Sequence, residues 1–114
     1  MYRNPKRKTG DVHVGMDRKT INGCQEWKDL NGAAKILYWH IKGRFNGSNN
    51  GRIQLPYSAM KGVKSCSAST TIARAAEELE KKKWIFRSQR GGLYKRKTLY
   101  GLTFKYDNYA NPKK

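Results

Sequence analysis

The chain has 114 residues, 37% of them apolar, which suits one modest hydrophobic core and leaves no room for two. No stretch comes near the ~20 apolar residues of a membrane span, and the basic start Met1-Tyr2-Arg3-Asn4-Pro5-Lys6-Arg7-Lys8 lacks the apolar run of a secretory signal. Charge dominates: 25 Lys and Arg stand against 8 Asp and Glu, a net charge of +17 and a pI near 10.2, and such an excess opposes compaction unless a polyanionic partner offsets it.

Residues 1–20 read as a basic, partly flexible arm with Pro5 and Gly10 as breakers and a short alternating stretch over 12–16. Residues 21–107 read as one folded domain, and 108–114 as a polar tail. Within the domain, Leu30, Ala34, Leu37, Ile41 and Phe45 recur at helical spacing and predict a helix over 28–45. Asn31 is its candidate cap, with Trp27 and Leu30 packing just before it. The run Asn46-Gly47-Ser48-Asn49-Asn50-Gly51 stops it, because these residues tolerate left-handed backbone. A short half-buried strand follows over 52–55, closed by Pro56, and then a short helix over 57–61 ended by Gly62.

The clearest helix starts at a cap on Ser65 or Ser67, buries Ile72, Ala75, Ala76 and Leu79, and ends near Lys83. Lys81, Lys82 and Lys83 suit the negative end of its dipole. The aromatic and β-branched run over 84–87 reads as a strand. Arg90-Gly91-Gly92 marks a turn, and a second strand over 98–106 puts Tyr100, Leu102, Phe104 and Tyr106 on one face.

Helix, short strand, helix, helix, strand, loop, strand is the order of an α+β winged helix-turn-helix: three helices and a small antiparallel β-hairpin wing. Such a fold lays its second motif helix in the major groove of DNA with the N-terminal residues toward base edges. This sequence supplies Ser67, Ser69, Thr70 and Thr71 there, and Arg74 one turn later, while Glu77, Glu78 and Glu80 come only after that. Lys64, Arg87, Arg90, Lys95, Arg96 and Lys97 are candidate phosphate contacts. Tyr94 can hydrogen-bond a phosphate from the wing tip, and Arg3, Lys6, Arg7 and Lys8 are candidate arm contacts in a minor groove or on the backbone.

Enzymatic chemistry finds little support. His13 and His40 are the only histidines, there is no Gly-Lys-Ser/Thr phosphate loop, and Asp11, Asp17, Glu26 and Asp29 have no metal-site spacing. Cys24 and Cys66 lack zinc spacing and read as two reduced thiols of a cytoplasmic protein. No catalytic residue, metal or cofactor is expected.

Three blocks carry a family resemblance: Arg44-Phe45-Asn46-Gly47-Ser48-Asn49-Asn50-Gly51-Arg52-Ile53, then Ser69-Thr70-Thr71-Ile72-Ala73-Arg74-Ala75, then Glu78-Leu79-Glu80-Lys81-Lys82-Lys83-Trp84-Ile85. From Trp27 to Tyr106 the chain resembles winged helix-turn-helix DNA-binding proteins of bacterial genomes, phages and plasmids. That family usually has Gly where Lys83 stands and a shorter turn after Gly62-Val63. The resemblance implies double-stranded DNA as partner, and a role as transcriptional regulator or as accessory replication or recombination factor of a mobile element, in the cytoplasm on the nucleoid. Two alternatives stay open on sequence alone: an RNA-binding or ribosome-associated basic protein, and a winged helix used for protein contact. A homodimer formed through the N-terminal segment or the first helix is open as well.

Overall fold

The computed structural model describes residues 15–90, 97–108 and 111. In chain order the elements are α1 (Arg18–Gly23), α2 (Gln25–Lys28), α3 (Gly32–Gly43), β1 (Ile53–Gln54), a 3-10 turn (Tyr57–Met60), α4 (Ser69–Lys81), β2 (Ile85–Gln89) and β3 (Leu99–Leu102). Among the described residues the architecture is α+β, with four α-helices and one antiparallel three-stranded sheet in the order β1-β3-β2. No helix among the described residues is long and apolar enough to cross a membrane.

The helix predicted over 28–45 is shorter at both ends. Asn31 holds extended backbone so that its side chain can accept the N–H of Ala33 at 3.0 Å, and the preceding residues close their own turn, α2. Ala34, Leu37, Tyr38 and Ile41 then form the buried face of α3. Phe45 lies beyond its end and packs edge-on against Phe104, with centroids 5.6 Å apart.

The asparagine-glycine run bonds itself into a turn: Asn49 Nδ2 donates to Arg44 O, and Asn49 Oδ1 accepts the N–H of Asn46. Asn50 does more. Its amide donates to Leu102 O at 3.0 Å and accepts the Leu102 N–H at 2.6 Å, so a side chain stands in for backbone and lengthens the β1–β3 pairing.

In the sheet, Ile53 pairs with Tyr100 and Gln54 with Leu99, while Ile85, Phe86 and Arg87 pair with Leu102, Gly101 and Tyr100. Ile53, Ile85, Tyr100 and Leu102 are buried. The predicted strand over 98–106 ends at Leu102, because Phe104 adopts a φ of 55° and turns the chain. Phe104 and Tyr106 therefore do not continue the strand's face. They pack on Phe45 and on Trp84 respectively, the latter with centroids 4.7 Å apart.

Helix α4 buries Ile72, Ala75, Ala76 and Leu79, the stripe its spacing predicts. Its start differs from expectation. The cap residue is Ala68, and no side chain caps the helix. Ser65 sits in left-handed backbone with φ 69° and Ser67 is one residue too early, so neither hydroxyl serves the first-turn N–H groups. At the other end the N–H of Trp84 bonds Leu79 O and that of Lys83 bonds Glu80 O, with Lys83 at φ 70°. This is the hydrogen-bond pattern of a Schellman cap, whose left-handed position, here Lys83, is most often occupied by glycine.

The core lies between α3, α4 and the inner sheet face. Its centre is aromatic: Trp84 meets Trp27 at 5.5 Å and Tyr38 at 5.4 Å, both edge-on.

Two chain segments distant in sequence are fastened to α3. The Asp17 N–H donates to Asp107 Oδ1 at 2.9 Å, the Asn108 N–H to Asp17 Oδ2 at 2.9 Å, and the Thr20 hydroxyl to Tyr106 O. Asp107 Oδ2 accepts the Tyr38 hydroxyl at 2.7 Å and the Lys42 ammonium. Lys42 and Asp107 are both buried. Burial, with Asp107 beside it, pushes the Tyr38 hydroxyl well above its ordinary range. Burial pulls the Lys42 ammonium below its own, against the opposing effect of Asp107. Met16 and Thr20 are buried too, so residues 15–20 belong to the packed domain rather than to the arm read over 1–20.

Candidate nucleic-acid interface

Helix α4 divides by charge. Ser69, Thr70 and Arg74 are exposed in its first half and Thr71 is half-buried. Lys64 and Ser67, on the approach to the helix, are exposed as well. No acid occurs between Asp29 and Glu77 in the sequence, so this approach and the first half of α4 contribute none. With no side-chain cap, the first-turn N–H groups of a 13-residue helix face outward at this same end.

The second half is mixed in sign. An open groove of about 690 Å³ is lined by Asp29, Asn31, Arg74, Glu77, Glu78 and Lys82, among others, so Arg74 stands on the border between the two halves. Glu78 Oε2 accepts the Asn31 N–H at 2.9 Å and pairs with Lys82 at 3.3 Å, tying α4 to the start of α3.

Glu80 ties α4 to the hairpin. Its Oε1 accepts Arg87 Nε at 3.2 Å, an Arg87 terminal nitrogen at 2.7 Å and an Arg90 terminal nitrogen at 2.7 Å. Partial burial of the carboxyl works against ionisation. The hydrogen bonds and charges of Arg87 and Arg90 outweigh it and hold Glu80 below the usual carboxylate range. Two of the sequence-derived phosphate contacts are therefore already paired: Arg87 with its side chain only 14% exposed, Arg90 with 61%.

The remaining wing positions separate. Lys97 leads into β3 and directs its ammonium to Gln54 Oε1 of β1 at 3.4 Å, away from α4. Tyr94, Lys95 and Arg96 lie outside the described residues, as do Arg3, Lys6, Arg7 and Lys8.

The structure adds two exposed residues to those expected from the sequence. Tyr57, at the start of the 3-10 turn, is 53% exposed. Burial pushes the Tyr100 hydroxyl up, with Arg87 pulling it down and Tyr57 pushing it up. Lys61, just beyond the turn, is exposed on the acid-free approach to α4. A sequence signal for these was available: Tyr57, Lys61 and Lys64 sit at intervals of four and three across a segment without acids.

Comparison with protein families, characterised proteins and solved structures gives no match.

The thiols are separate: Cys24 Sγ donates to Glu26 Oε1 at 3.3 Å, whereas Cys66 is buried, and burial pushes its thiol up. Among the described residues no three His, Cys, Asp or Glu come together as a group able to hold a metal ion.

Proposed function

We propose that this chain is a winged helix-turn-helix protein that binds double-stranded DNA through the first half of α4, and acts as a regulator or an accessory replication or recombination factor. The observation that carries this reading is the exposed, acid-free and uncapped start of a 13-residue helix. Such an end offers backbone N–H groups and a positive dipole to a phosphate, and small hydroxyl side chains to a groove. The element order and the sheet order β1-β3-β2 support the winged form, in which the β2–β3 hairpin is the wing.

In this reading Ser67, Ser69, Thr70 and Arg74 approach base edges, and Lys61 and Lys64 hold phosphates beside them. Arg90 and the wing residues Tyr94, Lys95 and Arg96 follow the backbone. Thr71 and Arg87 take lesser parts, the first because it is half-buried, the second because Glu80 engages it.

The test is selection from a random duplex pool, followed by salt titration on the enriched and scrambled sequences. A motif should emerge, and log affinity should fall with log salt at a slope of roughly −5 to −9 for six to ten phosphate contacts. Arg74→Ala should cost about 1–3 kcal/mol on the enriched site and relax specificity. Lys64→Ala should weaken all sequences alike and reduce the slope by about 1. Salt-sensitive binding without enrichment, or a preference for structured RNA at matched salt, would defeat the reading.

A further inference from the structure

The outer face of the sheet carries an exposed aromatic ring that neither the core nor α4 uses. Phe86 is 39% exposed and pairs across the strands with Gly101. A Cβ built on Gly101 would lie 2.2 Å from Cζ of that ring and 2.5 and 2.7 Å from its two Cε atoms. Three such similar distances mean that Gly101 meets the ring face-on rather than at its edge. A Cβ on Gly51 would lie 3.7 Å from the same ring. Phe86 therefore lies flat over Gly101 and touches Gly51, and the residue stays 39% exposed.

The surroundings are cationic. Arg52 directly precedes β1, next to the Ile53–Tyr100 pair, and Gln54 pairs with Leu99, while Phe86 pairs with Gly101 on the other side of β3. Arg44, Arg52 and Lys97 are all exposed. Each bonds a neutral oxygen: Arg52 that of Ser48 at 2.8 Å, Arg44 that of Gln54 at 3.5 Å, Lys97 the side-chain amide of Gln54 at 3.4 Å. No acid occurs in β1, β2, β3 or the turn before β1. The charge of this face is thus complementary to a phosphodiester chain.

We propose that this face is a second nucleic-acid site, which takes a single strand by stacking one unpaired base on Phe86 while Arg44, Arg52 and Lys97 hold the flanking phosphates. Bases in a duplex are stacked on both faces and have no free π face to offer the Phe86 ring. A single strand offers both its bases and a flexible backbone, the combination that stacking platforms with basic flanks recognise. The exposed Gln54 amide supplies a donor and an acceptor for the edge of the stacked base. The site is independent of the α4 surface, so either can fail alone.

The experiment titrates the full chain into labelled single-stranded thymidine and uridine homopolymers, with a duplex of mixed sequence in parallel. Phe86→Leu keeps an apolar cover on Gly101 but removes the π face. It should lower single-strand affinity roughly 5- to 100-fold, the range that loss of one base stack produces. The same variant should leave duplex affinity and the unfolding temperature near their starting values. Phe86→Trp should restore single-strand binding, and Arg52→Gln should weaken it and flatten its salt dependence. Tighter binding of thymidine or of uridine supports the site and tells whether DNA or RNA fills it. No single-strand binding, single-strand binding indifferent to Phe86→Leu, or parallel losses on single strand and duplex would overturn it. Single-strand binding without duplex binding would sink the α4 reading and leave this one standing.

Discussion

Two carboxylates each gather two cationic or hydroxyl partners, and they do so in opposite settings. Asp107 binds Lys42 and Tyr38 in the interior, where Lys42 and Asp107 side chains are 3% and 1% exposed. Glu80 binds Arg87 and Arg90 at the surface, between α4 and the hairpin. In the interior the charges cannot part without leaving one of them buried alone, so that cluster works as a fixed fastening. At the surface water and salt compete for every partner, so that cluster is an exchangeable one. On a chain of net charge +17 the exchangeable cluster has a second meaning under the proposed function: Glu80 occupies two arginines for which a phosphate would then compete.

The contrast is open to attack from its strongest side first. Asp107→Ala leaves Lys42 buried without its carboxylate and should cost about 3–5 kcal/mol in denaturant unfolding. The double change Lys42→Met with Asp107→Leu should recover only part of that loss, because it removes the unpaired buried charge but still leaves the Tyr38 hydroxyl and the Asp17 N–H without their acceptor. Equal losses from the single and double variants would show that the site acts through shape rather than charge.

Smaller effects are expected at the surface. Glu80→Gln frees two arginines, and should tighten duplex binding several-fold at low salt and steepen its salt dependence. Weaker binding would mean that Glu80 positions the arginines for phosphate instead of competing for them. The smallest effect is on stability: Glu80→Gln should cost under about 1 kcal/mol near neutral pH. Its sign with pH is fixed. The folded chain holds Glu80 below its ordinary value of 4.5, so its contribution is present above that value and fades as pH falls through the depressed folded value. Unfolding curves of the parent and Glu80→Gln should therefore converge in acid, and a gap that widens there would refute the assignment.

Local features were legible where they were periodic. The stripe Ile72, Ala75, Ala76, Leu79 and the cap at Asn31 follow from spacing and residue type, and the structure has both. What the sequence left unread was long-range. Nothing local marks Asp107 as the partner of Lys42, since 65 residues separate them. Strand alternation carried the second hairpin strand too far, because the pattern Tyr100, Leu102, Phe104, Tyr106 persists through a backbone turn that re-aims its last two members. The serines before α4 match a cap motif, yet capping depends on backbone geometry, and at Ser65 that geometry is left-handed. The candidate site is legible in the same measure: the first half of α4 could be read from charge order, whereas the engagement of Arg87 and Arg90 by Glu80 required the packing of a helix against a hairpin.

The Asp17–Asp107 bond also bears on how the chain acquires its structure. It joins positions 90 apart in sequence, so closing it orders a loop that spans nearly the whole chain. The helix pair α3–α4 and the β2–β3 hairpin close shorter loops, so contact order predicts that they form before it. The fastening is thus expected to close late, on a molecule already largely folded. Weakening it should leave the refolding rate almost unchanged and show instead as faster unfolding: in kinetic terms Asp107 is a latch on the native state and no part of the nucleus.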